Sequence, residues 1–189
     1  MLEGKLVRLR PPEPADLDRA YTWINDQEVI YFLGARYPMS YADEERWLRE
    51  AASSNFARGV ALAIETKDGT HIGNLGLHNP NPEDRTAALG ILIGEKGYWS
   101  KGYGTDAVTT LLRFAFAQMN LNRVYLEVFE YNERAIVCYR KCGFVEEGRL
   151  RQHRFKHGRY CDALIMGILR QEFEARQGDA EDTGVAGEP

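Results

Sequence analysis

Two glycines separated by one residue, Gly102 and Gly104 in "YWSKGYGTDA" (98–107), stand at the head of a run whose apolar residues recur at helical spacing. Glycine removes side chains where a phosphate must come close, and a helix start offers unsatisfied N–H donors and the positive end of the helix dipole. With Ala107 the pattern reads G-x-G-x-x-A, one form of the dinucleotide-binding turn. In that turn the strand runs almost directly into the first glycine, whereas here residues 94–101 separate Gly102 from the strand-like run "AALGILIG" (87–94). The spacing counts against a dinucleotide. It leaves two readings of the loop alone, a phosphate cradle or a turn that relieves backbone geometry. Lys101 is a supporting charge in the first and a solvated surface residue in the second.

The elements that must position this loop follow from periodicity. "KLVRLR" (5–10) alternates as a strand, and a helical pattern with Leu17, Ala20, Tyr21 and Ile24 begins near Asp16. Ser40 is a predicted N-cap for a second helix, with Asp43 and Glu44 in its first turn. Between them "VIYFLGARYP" (29–38) reads as a flexible, partly apolar loop. Residues 59–66 form a strand that turns at Asp68-Gly69 into "THIGNLGLHNP". The strand 87–94 leads through the glycine loop to a helix reaching about Met119, with Val108, Leu111, Leu112, Ala115 and Phe116 on its buried stripe. "NRVYLEVFE" (122–130) is the next strand, and a helix from Glu133 to Lys141 ends at Gly143. "FVEEGRL" and "YCDALIMGIL" are two further strands joined through Lys156-His157-Gly158. This order predicts an α/β (α+β) domain over residues 1–171, a mixed sheet with helices packed against it. Residues 172–189 read as an acidic, flexible tail with too few large apolar residues to help the core.

The chain has 24 basic and 28 acidic residues, a formal charge of -4. The tail holds more than the whole of that excess, since six acidic residues there face Arg176 alone, so residues 1–171 carry +1. A body this near neutral lacks the basic excess of a nucleic-acid binder, and direct nucleic-acid contact is not expected. No apolar run is long enough to span a membrane. Cys138, Cys142 and Cys161 cannot all pair, and no secretory segment precedes the first strand, so a cytoplasmic setting is expected. Cys138 and Cys142 stand four apart without a CxxC or a nearby histidine, a pattern of packing; no metal is expected.

"NERAIVCYRKCGF" (132–144), following "KGYGTDA" in this order, resembles the GCN5-related N-acetyltransferase (GNAT) family over about residues 5–170. It is most similar to the branch that acetylates ribosomal-protein N-termini. The resemblance implies a single-domain acetyltransferase fold with a central mixed, largely antiparallel sheet, and acetyl-CoA as cosubstrate. It assigns the pyrophosphate cradle to the amides of Lys101, Gly102, Tyr103, Gly104 and Thr105, although Trp99 stands where family members commonly carry Gln or Arg. Asn132 resembles the asparagine on the pantetheine side, and Tyr139 the tyrosine near the sulfur. Asn132, Ala135 and Tyr139 share a face at helical spacing, so amide and phenol can enter one groove. A helix cap is a compatible role for Asn132, and packing an alternative one for Tyr139.

Acetyl transfer requires a neutral amine held beside the thioester carbonyl. A backbone N–H near Ile91 or Ile93 would stabilise the developing oxyanion, and the Tyr139 phenol would protonate the leaving thiolate. Related proteins of the branch often place Glu where this chain has Ala88, so the base must come from elsewhere. Glu127 and His78 are the candidates. The implied acceptor is a peptide or protein N-terminal amine, possibly of a ribosomal protein, because an α-amine titrates closer to neutrality than a lysine. A polyamine or aminoglycoside acetyltransferase and a non-catalytic acyl-CoA-binding protein are the alternatives. Trp23, Tyr31 and Phe32 are a candidate apolar acceptor wall, Arg151 and Asp162 a candidate ion pair, Tyr160 a candidate lining residue, and the terminal hairpin a possible homodimer contact.

Overall fold

The structure, a computed structural model, describes residues 1–53 and 59–182. Strands β1 (Leu2–Glu3) and β2 (Val7–Arg10) lead to helices α1 (Leu17–Asn25), α2 (Gln27–Ile30) and α3 (Tyr41–Ala52). Strands β3 (Val60–Thr66), β4 (His71–Asn81) and β5 (Thr86–Ile93) follow as a meander, then α4 (Tyr103–Ala117), β6 (Arg123–Phe129) and α5 (Glu133–Cys142). The hairpin β7 (Val145–Lys156) and β8 (Arg159–Leu169) runs into α6 (Arg170–Asp182). The strands form one sheet in the order β1-β2-β3-β4-β5-β6-β8-β7, antiparallel except where β5 meets β6.

That one parallel pairing builds the site. It covers only Thr86–Ala88 against Arg123–Tyr125; past Ala88 the two strands separate while β5 stays paired to β4 as far as Ile93. Gly94 N–H donates to the Ile72 carbonyl on β4, so by the alternation of an antiparallel ladder the N–H and C=O groups of Leu89, Ile91 and Ile93 point the other way, into the gap. Crossover helix α4 covers one face, burying Ala107, Val108, Leu111, Leu112 and Ala115 against Val7, Leu77, Leu89, Val124 and Leu126.

Local signals account for most boundaries. Ser40 Oγ accepts from Asp43 N–H at 3.1 Å, the predicted cap of α3. Gly143 ends α5 at φ +102°, its N–H donating to the Arg140 carbonyl. His157 and Gly158, both at positive φ, turn the last hairpin.

Three expectations are corrected. Residues 172–182 do not form a loose tail from the start: α6 continues β8, and Phe173, only 4 % exposed, packs on Phe116 at 5.4 Å between ring centroids. The acidic residues flank that one anchor, and residues 183–189 lie outside the described part. The segment 29–38 is not a free loop throughout, since Val29 and Ile30 are buried in α2 and the next residues are tied to the terminal hairpin. Asp162 pairs with Arg149 at 3.0 Å rather than with Arg151.

Candidate active site

The gap between β5 and β6 opens into a cleft of about 830 Å³. Residues from α2 and its loop (Val29, Phe32, Leu33), from the diverging strands, and from the starts of α4 and α5 line it. At one end stands the glycine loop. Gly102 caps α4 at φ +89°, a left-handed conformation that glycine adopts without strain. Asp106 N–H already donates to the Gly102 carbonyl, which leaves the amides of Tyr103, Gly104 and Thr105 as the free donors of the first turn. A Cβ on Gly104 would find only ordinary contact, 3.7 Å from Cys138 Sγ, so this glycine answers to no crowding within the protein; it keeps the cleft open beside those amides. Donor set, helix dipole and open backbone fit a pyrophosphate.

Asn132 and Tyr139 enter the same cleft from α5. The Asn132 Oδ1 accepts from Ala135 N–H at 3.2 Å, so the residue is the helix cap. Its side-chain NH2 remains a donor at the cleft wall. Tyr139 is 7 % exposed, and its hydroxyl has no hydrogen-bond partner among the described residues. Burial, with the neighbouring thiols of Cys138 and Cys142 adding to it, pushes the phenol well above its usual range, so it is a proton donor at neutral pH.

The opposite side of the cleft rests on sheet register. His78 is level with Ala88, and Ala88 with Tyr125, so His78, Ala88 and Glu127 share one face of the sheet. The His78 ring lies over Gly90, where a Cβ would stand 3.0 Å from Nε2. Desolvation there lowers its pKa below the ordinary imidazole value, keeping it neutral and able to accept a proton. Glu127 also lines the cleft, with Oε1 held by Arg154 Nε at 2.8 Å and Oε2 3.5 Å from His153 Nε2.

Four of the sequence-derived positions thus converge, His78, Glu127, Asn132 and Tyr139, together with Gly102, Gly104 and Thr105. Lys101 is exposed and is not among the lining residues; Tyr103 turns its ring against Tyr98, at 5.0 Å between centroids, so only its backbone serves the loop. Of the residues expected to form an apolar wall, Phe32 lines the cleft, whereas Trp23 is buried against His71 and over Gly94, and Tyr160 meets Phe155 edge-on at the surface. Two arginines also line the cleft. Arg134 lies over the Trp99 indole at 3.8 Å and faces Phe32 at 5.3 Å, so it bridges the cofactor loop and the acceptor wall. Arg154 was silent because its partner is two strands away in the sheet. Among the described residues no cluster of three or more His, Cys, Asp or Glu is placed to hold a metal, and no helix is long and apolar enough to cross a membrane.

Comparison with known proteins bears on the same cleft. Residues 7–145 match the family described as "Acetyltransferase (GNAT) domain". The chain is 31% identical over 170 residues to the spermidine N(1)-acetyltransferase of Escherichia coli (strain K12), covering 89% of each. It is 30% identical to YdaF of Bacillus subtilis (strain 168), provisionally named a ribosomal N-acetyltransferase, covering 90% of this chain and 95% of that one. The crystal structure of spermidine N-acetyltransferase from Vibrio cholerae in complex with CoA and spermine superposes with TM-score 0.82 at 27% identity, over 89% of this chain and 98% of that one. With the splayed strands, the glycine loop at a helix start and the tyrosine beside it, the chain belongs to the GNAT family and is an acetyl-CoA-dependent N-acetyltransferase acting on an amine.

Proposed function

We propose that the acceptor is an aliphatic primary amine of the polyamine class. The observation that carries this reading is the pairing of an apolar wall with a proton acceptor and a carboxylate. Val29, Phe32 and Leu33 line the cleft that also holds His78 and Glu127 on one sheet face. Such a slot suits a hydrocarbon chain bearing cationic ends, with the carboxylate attracting an ammonium and the imidazole taking its proton. The two spermidine acetyltransferases to which the chain is similar support the same class. This sets aside the ribosomal-protein N-terminus as the leading expectation.

Bound acetyl-CoA would supply a thioester carbonyl open to attack by the neutral amine. The free amides of the first α4 turn and the Asn132 NH2 would hold its pyrophosphate and pantetheine. His78 receives the ammonium proton directly or through one water. The Ile91 N–H, pointing into the gap, donates to the oxygen that becomes negative. Tyr139 delivers its proton to the departing sulfur and is restored, directly or through water, by the second proton that the acetylated nitrogen sheds as the amide forms, while His78 releases the first to solvent.

One observation favours a second acceptor. Arg154 neutralises Glu127, so the cleft lacks the surplus negative charge that several ammonium groups would reward, and a peptide α-amine needs less help to deprotonate. CoA release measured with spermidine, spermine and a set of short peptides with free N-termini separates the two. Turnover of spermidine at least tenfold above the peptides, by kcat/KM, is expected. Turnover confined to the peptides overturns the polyamine reading.

A further inference from the structure

Lys156, the last residue of β7, is a buried cation that the chemistry above does not use, 7 % exposed and without a carboxylate partner among the described residues. An unpaired buried ammonium is unfavourable unless its protons are taken up by strong acceptors. Here the acceptors are backbone carbonyls of the acceptor wall. Lys156 Nζ donates to the Ile30 carbonyl at 2.5 Å and to the Leu33 carbonyl, and it stands 5.6 Å from the centre of the Phe129 ring. Ile30 ends α2, a helix of a single turn whose terminal carbonyls have few partners within the helix.

The carbonyl between them is held from the same side of the molecule. Tyr131 OH donates to the Tyr31 carbonyl at 3.2 Å, and the Tyr31 ring stacks on His157 at 4.6 Å. Phe32, Leu33 and Gly34, which line the cleft, therefore hang from a backbone fixed by the terminal hairpin and the β6–α5 turn, 126 and 100 residues away in sequence.

We infer that Lys156 is a positioning residue for the acceptor: by holding the Ile30 and Leu33 carbonyls it sets where Phe32 and Leu33 stand in the cleft, and so the affinity for the amine. The inference rests on the reading that the amine enters along this wall. A residue that served only to fill space would be replaced without loss by an apolar chain of the same length. A residue that served only overall stability would weaken acetyl-CoA and acceptor alike.

Lys156→Met tests it in the full chain, with Lys156→Arg as the conservative variant and Tyr131→Phe as a milder cut at the neighbouring carbonyl. The readouts are amide hydrogen exchange at residues 31–34, the acetyl-CoA Kd by calorimetry, and initial rates with spermidine and with a peptide α-amine. Lys156→Met should speed exchange in the wall and raise the acceptor KM about tenfold, with the acetyl-CoA Kd within about twofold of wild type. Lys156→Arg should recover part of that loss, and Tyr131→Phe should move the same quantities less. Unchanged exchange and acceptor KM overturn the inference, as does an acetyl-CoA Kd that rises in step with the acceptor KM. If Lys156→Met does not fold, unchanged acceptor KM in both remaining variants overturns it. If the wild type acetylates neither amine, the acceptor assignment fails by itself; the exchange comparison then decides the anchor, faster exchange supporting it and equal exchange rejecting it.

Discussion

Arg134 and Trp99 meet across the mouth of the cleft, guanidinium carbon 3.8 Å from the centre of the indole ring, while the indole Nε1 donates to the Ile93 carbonyl at 2.7 Å. One tryptophan thus joins the end of β5, the approach to the glycine loop and the first turn of α5. Burial lowers the Arg134 pKa, and the stacked guanidinium is well placed for an anionic ligand. Trp99→Ala should weaken acetyl-CoA binding about thirtyfold, from a cation–π contact and a hydrogen bond of about 1 kcal/mol each. Trp99→Phe keeps a face for Arg134 and should lose about half of that free energy. Calorimetric Kd values for these and for Arg134→Ala, singly and combined, give the coupling; strict additivity would show that the two side chains act apart.

The Tyr139 hydroxyl is without a hydrogen-bond partner among the described residues, so removing it should leave stability unchanged. Tyr139→Phe should lower kcat by about ten- to a hundredfold at pH 7 with the acetyl-CoA Kd held within about twofold. Equal kcat in the two proteins would make the residue a packing aromatic against Phe144.

Desolvation lowers the His78 pKa, so the base-competent neutral form predominates at pH 7 and is lost as pH falls through a value below 6.5. The acid limb of kcat/KM for the amine should fall there. His78→Ala should flatten that limb and cut kcat about a hundredfold. Glu127→Gln should raise the amine KM and leave the limb in place, since Arg154 occupies the carboxylate. The reverse pattern across a pH series would transfer the base role to Glu127.

The site was legible where its parts are close in sequence. The glycine loop is read from spacing, and the asparagine and tyrosine that the family resemblance points to fall on one face of α5 by the same rule, because a helix start and a helix face are local objects. Sheet register is not local: nothing in residues 78 or 127 announces that they share a face, and the separation of β5 from β6 past Ala88 depends on pairing between distant segments. Arg154, Lys156 and Tyr131 were invisible for the same reason, since each acts on a group contributed from another part of the chain. Composition misled at the C-terminus, where one phenylalanine among acidic residues outweighs the average.

That phenylalanine gives a direct measurement. Phe173 is buried beside Phe116, and truncating it leaves a cavity between α4 and α6. Phe173→Ala should cost about 3–5 kcal/mol in denaturant unfolding. A neutral Phe173→Ala would restore the expectation of a dispensable segment from residue 172.

Asp106 supplies the last case, a carboxylate in the first turn of α4 that faces away from the cleft. Its two oxygens accept from the backbone N–H groups of Lys5, Leu6 and Val7 at 3.0, 2.7 and 3.0 Å, tying the turn between β1 and β2 to the helix that carries the glycine loop. Gly4 makes the approach possible, since a Cβ there would lie 2.5 Å from Asp106 Oδ2 and 2.7 Å from Thr110 Oγ1. Asp106→Ala strands three donors and removes a negative charge from the helix start, and should destabilise by about 2–4 kcal/mol. The same loss relieves repulsion of an anionic cosubstrate in that turn, so the acetyl-CoA Kd should stay level or improve slightly in protein that remains folded. Gly4→Ala should reproduce the destabilisation with the charge intact. A Kd that worsens in Asp106→Ala but not in Gly4→Ala would mean that the carboxylate orients the loop amides, and that the anchoring of the N-terminal turn is the lesser of its two effects.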